Sequence, residues 1–178
     1  MKPVAYKGTN ADIERLAASL RETVIEHVAE ESLRGRRLLD EVVKMAGGTI
    51  ELTDDPSIQE IDGGSLIIHG EDDFAIFLSP FTTPLRDNFT IAHEVGHYFL
   101  HYFLQKPHPK TPISFTRYGT GLIEWQANRF AAALLMPAAL FGEKHKQFDG
   151  DRFRLSGHFE VSRAALEARA ESLSCPLD

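Results

Sequence analysis

The chain has 178 residues, of which 43% are hydrophobic, and carries a formal net charge of −7. This length and composition predict one globular domain with a substantial core, and the charge argues against a protein that mainly binds nucleic-acid phosphates. The lone Cys175 excludes an intramolecular disulfide and a cysteine-based zinc cluster, which is typical of a reducing compartment. Because the start MKPVAYKGTN lacks an apolar run and no segment is long enough to span a membrane, we expect a cytoplasmic protein with no membrane contact.

Two amphipathic helices are predicted within residues 1–48. Asn10 is a candidate N-cap for the first, in which apolar residues recur at helical spacing over residues 11–28. The second covers residues 38–46 and ends at the pair Gly47-Gly48, because glycine readily adopts the conformation that stops a helix. Gly35 is expected to break or bend the segment between them.

Three short strands are predicted next, at residues 49–52, 65–69 and 74–79. Turn-forming residues precede the second and the third strand, with Asp-Gly-Gly at 62–64 and Gly-Glu-Asp-Asp at 70–73. Three consecutive short strands favour a small meander, and the sheet is therefore predicted to be mostly antiparallel.

The second half of the chain is predicted to be helical around one long irregular segment. Thr83-Pro84 combines a capping hydroxyl with proline at the first helical position, and this helix is expected to run to about residue 103. Residues 105–121 are rich in Pro and Gly and have no clear period, which is typical of a functional loop. Further helices are predicted at residues 122–136, 138–146, 151–157 and 162–173.

The predicted fold class is α+β, with a small sheet packed against helices. We expect a single domain over 1–178. Its parts are the N-terminal helices (1–48), the sheet with the metal-binding helices (49–148) and a C-terminal helix pair (149–178).

The run His93-Glu94-Val95-Gly96-His97 is an H-E-x-x-H motif within a predicted helix. Histidines four residues apart project from one helix face, so that both can bind one metal ion, while Glu94 can reach a water on that metal. The alternative is a pair of structural histidines that are buried and hydrogen-bonded to other groups. Gly96 favours the metal site only indirectly, since a mid-helix glycine is better tolerated where something packs close to it.

A catalytic zinc site needs a third protein ligand, and Glu124 is the best candidate. The downstream H-x-x-G-x-x-H extension of the metzincins is absent, because Leu100 and Phe103 occupy those places. Glu124 begins an otherwise apolar, Ala-rich helix, and Asn128 lies one turn later, where it could orient a ligand by a hydrogen bond. The alternative is that Glu124 is a first-turn acid favoured by the helix dipole and that Asn128 is exposed.

Three segments together resemble the ImmA/IrrE family of metallo-endopeptidases. The run FTIAHEVGHY at 89–98 closely resembles the active-site helix of that family, and EWQANRFAAALLMP at 124–137 is similar to its second signature. The run FEVSRAALEAR at 159–169 resembles the third signature. The resemblance implies a zincin-like, gluzincin-like peptidase core in which His93, His97 and Glu124 bind Zn²⁺, or else Mn²⁺, and Glu94 is the general base.

The resemblance also implies a bacterial regulatory role, because several family members cleave helix-turn-helix repressors of the XRE type. The chain is therefore predicted to be a stand-alone endopeptidase acting on such a repressor or a similar regulatory protein. A second hypothesis is a catalytically weak or inactive member that binds a partner as an anti-repressor module. A third is a DNA-binding regulator built on the helices at 153–157 and 162–173, but simple helix packing is favoured because acidic residues offset Arg163 and Arg169. We thus expect no direct nucleic-acid binding.

Several further residues are candidates for the site. Tyr118, before Glu124, and Tyr98, after His97, are candidate oxyanion donors, and each is also a candidate packing residue. His101 lies one turn past His97 and is a candidate to support the metal ligands from behind, with a core or surface histidine as the alternative. By analogy with zinc peptidases of similar architecture, the strand at 74–79 is expected to line the cleft and pair with extended substrate.

Overall fold

The computed structural model describes residues 4–28, 33–55, 64–115 and 121–178. Its helices are α1 (Asn10–Ile25), α2 (Gly35–Met45), α3 (Pro84–Tyr98), α4 (Leu122–Leu135), α5 (Ala138–Gln147), α6 (Arg152–Phe159) and α7 (Arg163–Ser172), and its strands are β1 (Gly48–Leu52), β2 (Gly64–Gly70), β3 (Asp73–Leu78) and β4 (Ile113–Phe115). The predicted α+β class is confirmed. Of the helices in the described ranges, none has the length and apolar character needed to cross a membrane.

The sheet is mixed, with the strand order β1-β3-β2-β4. β1 pairs in parallel with β3, while β2 pairs antiparallel with both β3 and β4. The prediction of a mostly antiparallel sheet is confirmed, but the simple meander is wrong, because β1 lies beside β3 instead of β2. β4 comes from the segment 105–121, where no element was predicted, since three residues are too few to show a period.

Helix ends agree with the predicted chemistry in part. The N-cap of α1 is Thr9 and not Asn10, because Thr9 forms a capping box with Asp12. Gly47 follows α2 with φ 78°, which only glycine adopts easily, and the predicted helix stop is confirmed. Pro84 is at the start of α3 as predicted, whereas the hydroxyl of Thr83 forms no capping bond to the described residues of that helix.

α3 is the central helix of the fold. It packs against α4, α2, β2 and β3, and all of its residues from Thr90 to Tyr98 are buried. Its apolar residues Ile91, Ala92 and Val95 join the main hydrophobic core. The same buried stretch also carries His93, Glu94 and His97, which are polar groups that cost free energy when buried without partners.

Candidate metal centre

α3 and α4 approach each other closely at Gly96. A Cβ atom at this position would lie 3.2 Å from the Cα and carbonyl oxygen of Ala127 and 3.2 Å from the Cβ of Phe130. The expectation that something packs close to Gly96 is therefore confirmed. This contact brings the histidines of α3 within reach of the first turn of α4.

Three side chains from these two helices converge on one point. The Nε2 atoms of His93 and His97 are 2.9 Å apart. Oε2 of Glu124 is 3.2 Å from His93 Nε2, and Oε1 of the same carboxylate is 3.4 Å from His97 Nε2. Both histidines are buried, and the Glu124 side chain is 20% exposed, so the cluster is reached from the Glu124 side.

The cluster has the donor set and the spacing of a divalent-metal site. The ligand atoms all lie within 4.8 Å of one another. Two ligands at about 2.0–2.1 Å from a tetrahedral zinc ion are about 3.3 Å apart, which is close to the distances between these atoms. Two imidazoles and a carboxylate also suit other divalent ions, so that the residues fit a metal without selecting which one.

Asn128 contacts the first histidine from behind, at His93 Nδ1. The amide Oδ1 of Asn128 lies 2.9 Å from that nitrogen. Because an amide oxygen only accepts hydrogen bonds, His93 donates through Nδ1, and its Nε2 keeps a lone pair toward His97 and Glu124. Asn128 is thus in the orienting position considered for it, on the same face of α4 as Glu124.

His101 makes the corresponding contact to the second histidine, with its Nδ1 3.0 Å from His97 Nδ1. It lies in a π-helical turn, Phe99–Phe103, which continues α3. A π turn holds more residues than an α turn, so His101 drifts less around the axis and stays behind His97. On its far side, His101 Nε2 is 3.1 Å from the Oε1 of Gln126.

The ionisation states of Glu124 and His101 favour the binding of a cation. Burial raises the pKa of Glu124, but the hydrogen bonds and positive charge that His93 and His97 would supply in their protonated forms outweigh it, so the pKa of this carboxyl lies well below its usual range. Burial lowers the pKa of His101 to about 4, and the neighbouring His97 contributes to this shift. Glu124 is therefore an anion and His101 a neutral ring at physiological pH.

The remaining predicted site residues are placed differently. Glu94 is buried in α3 next to His93 in the chain, at 1% exposure. Tyr98 stacks on Phe74 at 4.1 Å between ring centroids, and its hydroxyl donates to the carbonyl of Glu71 in the β2–β3 turn. That contact faces the sheet, and the structure therefore does not bring Tyr98 together with the cluster. Tyr118 lies outside the described residues.

β4 reaches the cluster through an aromatic contact. The ring of Phe115 in β4 lies 5.1 Å from that of His97 between centroids. β3, by contrast, is hydrogen-bonded to β1 on one edge and to β2 on the other. The expectation that the strand at 74–79 pairs with substrate is therefore wrong, because neither of its edges is open.

A cavity of about 510 Å³ adjoins the cluster between α3, α4 and α7. Asn128 is part of its wall, together with Phe89, Trp125, Arg86 and Arg129. Its described lining includes Asn128 but not His93, His97 or Glu124, so this cavity lies beside the candidate metal centre.

Sequence reasoning missed Gln126 and Phe115 as neighbours of the cluster. Gln126 carried a usable signal, since a polar residue within an otherwise apolar helix is commonly buried for a specific hydrogen bond. Phe115 carried none, because a single aromatic residue in a Pro- and Gly-rich segment has no periodic context.

A buried helix pair that brings two histidines, four residues apart, to a carboxylate defines a candidate divalent-metal centre. A family model described as Peptidase M78, the IrrE N-terminal-like domain, matches residues 67–171. The chain belongs to this family, and the predicted membership in the ImmA/IrrE family is confirmed.

Solved structures share the fold, among them that of a Mycobacterium tuberculosis transcriptional regulator. The two chains are 17% identical and superpose with a TM-score of 0.55, over 89% of this chain and 52% of the other. This chain thus spans about half the length of that protein, and the likeness shows the fold alone. No curated protein matches the chain.

Proposed function

We propose that the chain is a metal-dependent endopeptidase, with His93, His97 and Glu124 as metal ligands and Glu94 as general base. The observation that carries this proposal is the convergence of three lone-pair donors, with 2.9–3.4 Å between neighbouring atoms, inside a buried helix pair. Membership in a peptidase family supports the same chemistry. Zn²⁺ is the expected ion, and Mn²⁺ is the alternative.

The chemistry of peptide hydrolysis can be assigned to these residues. A divalent ion held by the triad would supply Lewis acidity and lower the pKa of a bound water toward neutrality. Glu94 would take a proton from the attacking water on its carboxylate and pass it to the amide nitrogen as the peptide C–N bond breaks. Asn128 would keep His93 in its lone-pair orientation throughout.

An extended substrate would bind along β4. Among the described strands β4 is at the edge of the sheet on the side of the cluster, because it pairs only with β2 there and Phe115 contacts His97. An added strand would satisfy the backbone of both partners by β-augmentation. Flexible or locally unfolded segments of a protein can adopt such a conformation, and this favours an endopeptidase acting on a regulatory protein.

The proposed substrate is a helix-turn-helix repressor of the XRE type, met in the bacterial cytoplasm. Membership in the ImmA/IrrE family supports this class of substrate, since several family members cleave such repressors. The alternative remains an anti-repressor module that only binds its partner. The two differ in one respect, since binding survives the loss of Glu94 and cleavage does not.

Elemental analysis tests the metal assignment. Protein purified without added metal should contain near-stoichiometric zinc or manganese, lost in His97→Ala and Glu124→Ala but kept in Glu94→Gln. Absence of metal from the wild type, even after incubation with zinc, would overturn the peptidase proposal.

A cleavage assay on repressors encoded beside the gene then separates enzyme from binding module. Glu94→Gln should lower the rate by about 10²–10⁴-fold, which is the usual contribution of general acid–base catalysis. Glu143→Gln is the matched control, because it makes the same change at an exposed carboxylate of α5. A bound repressor that stays intact with the wild type and with Glu94→Gln alike would favour the binding module.

A further inference from the structure

Gln126 of α4 is buried and hydrogen-bonded at both ends of its amide to one residue of the N-terminal segment. Its Nε2 donates to the carbonyl oxygen of Tyr6 at 2.7 Å, and its Oε1 accepts from the backbone N–H of Tyr6 at 2.9 Å. Because a backbone N–H only donates and a carbonyl only accepts, these two bonds fix which way the amide points. The oxygen of Gln126 therefore faces inward in a single orientation.

The same oxygen decides where His101 carries its hydrogen. Gln126 Oε1 lies 3.1 Å from His101 Nε2 and can only accept, so His101 donates through Nε2. A neutral imidazole with its hydrogen on Nε2 offers Nδ1 as an acceptor. His97 Nδ1 lies 3.0 Å from that acceptor and must therefore be the donor.

We propose that His101 and Gln126 are positioning residues that hold His97 in the tautomer with its hydrogen on Nδ1. The order of bonds runs from the backbone of Tyr6 through Gln126 and His101 to His97, and it leaves the Nε2 lone pair of His97 directed at the cluster. Tyr6 lies outside the segment 67–171 that matches the family model, so residues beyond that segment set the state of a ligand within it. Only the consequence for metal affinity rests on the proposed function; the tautomer does not.

The tautomer can be read in the metal-free wild-type protein by ¹H–¹⁵N NMR of the histidine rings. At about pH 8.5, two units above the ordinary histidine pKa, a neutral ring gives different ¹⁵N signals for its protonated and its unprotonated nitrogen. We expect hydrogens on His97 Nδ1 and His101 Nε2, with a ¹⁵N–¹⁵N coupling between the two Nδ1 atoms across the hydrogen bond. A hydrogen on His97 Nε2 or on His101 Nδ1 would overturn the proposal. This measurement needs no variant, and a failure of the peptidase proposal would leave it unaffected.

Three variants then test the bonds that set the tautomer. Gln126→Met should release His97 into a mixture of tautomers and weaken zinc binding about 10–100-fold, which is typical for groups that orient a metal ligand. Gln126→Glu should restore the His97 tautomer, because one carboxylate oxygen still accepts from His101, but it should also lower the free energy of unfolding, because the other oxygen cannot donate to the carbonyl of Tyr6. Gln105→Met is the matched control, because the side chain of Gln105 donates to the carbonyl of Leu100 in the π-helical turn that follows α3, and it should leave both readouts unchanged. An unaltered His97 tautomer in Gln126→Met would contradict the proposal.

Discussion

Two polar clusters adjoin α4, one around Arg169 and one at the candidate metal centre, and they differ in their hydrogen-bond balance. Around Arg169 of α7, each of the three guanidinium nitrogens donates to an acceptor. Its Nε donates to the carbonyl of Met136 at 2.9 Å, and its two terminal nitrogens donate to the two carboxylate oxygens of Glu14, each at 2.8 Å. Such a bidentate pair is complete without any further ligand.

The metal cluster instead brings acceptors together. His93 and His97 donate through their Nδ1 atoms to groups behind them, so that two ring lone pairs and the Glu124 carboxylate face one another. That arrangement is unfavourable without a cation between the groups. The comparison separates two kinds of cluster, since the first is balanced within the protein and the second would be completed by the metal ion that we propose.

Among the variants that test this comparison, Arg169→Met is expected to change the free energy of unfolding most. The change would leave Glu14 without its main cation and the carbonyl of Met136 without a donor, so the free energy of unfolding should fall by about 3–5 kcal/mol. Urea unfolding measures this loss. Arg163→Met is the control in the same helix, where an exposed guanidinium stacks on Phe153, and it should cost less than about 1 kcal/mol. If Arg169→Met lost no more unfolding free energy than Arg163→Met, the balanced cluster would contribute little to stability.

The metal cluster should respond in the opposite sense. In metal-free protein at about pH 8.5, two units above the ordinary histidine pKa, Glu124→Ala should cost less than about 1 kcal/mol, because beside neutral imidazoles it removes one of three opposing acceptors. With zinc at about 100 times its Kd, the wild type should gain about 2.7 kcal/mol and Glu124→Ala almost nothing. Thermal unfolding with EDTA and with zinc measures both. A large loss in the metal-free variant would show that Glu124 is a structural acid and would break the contrast.

A third and smaller effect concerns the spacing of the helices that hold the metal cluster. Gly96→Ala should gain about 1 kcal/mol of helix propensity and lose about 1–3 kcal/mol, because the added methyl group presses on the backbone of Ala127 at 3.2 Å. The net change should be a loss of about 1 kcal/mol. Gly142→Ala in α5, where a Cβ meets nothing within 4 Å, should stabilise the protein instead. Equal gains from both substitutions would show that α3 and α4 separate easily.

Local patterns were sufficient to predict most elements and the core of the metal cluster. The helical period, Pro84 and Gly47 are properties of neighbouring residues, and a spacing of four residues places His93 and His97 on one face in any helix. Family resemblance added Glu124, which the helix pattern alone left open between a ligand and a first-turn acid.

The parts that sequence reasoning missed depend on distant residues. Arg169 and Glu14 are 155 positions apart, and Tyr6 and Gln126 are 120 apart. The sequences of the strands likewise do not show whether β1 pairs with β2 or, in parallel, with β3. A single sequence shows that Gln126 or Arg169 is polar on a helix, but only the packed fold shows which group receives its hydrogen bonds.

The smallest effect expected is the response of the balanced cluster to pH. Burial raises the pKa of Glu14, but the hydrogen bond and charge of Arg169, with that of Arg129, lower it further, so its pKa lies below the ordinary value of 4.5. A carboxyl group with a depressed pKa stabilises the fold above about pH 4.5, and this contribution is lost as the pH falls through the lowered value. The gap in unfolding free energy between metal-free wild type and Glu14→Gln should therefore shrink below pH 4.5, by about 1 kcal/mol or less because Glu14 is partly exposed. Urea unfolding between pH 7 and pH 3 measures the gap, and a constant value would mean that the Arg169 pair owes its stability to packing and not to charge.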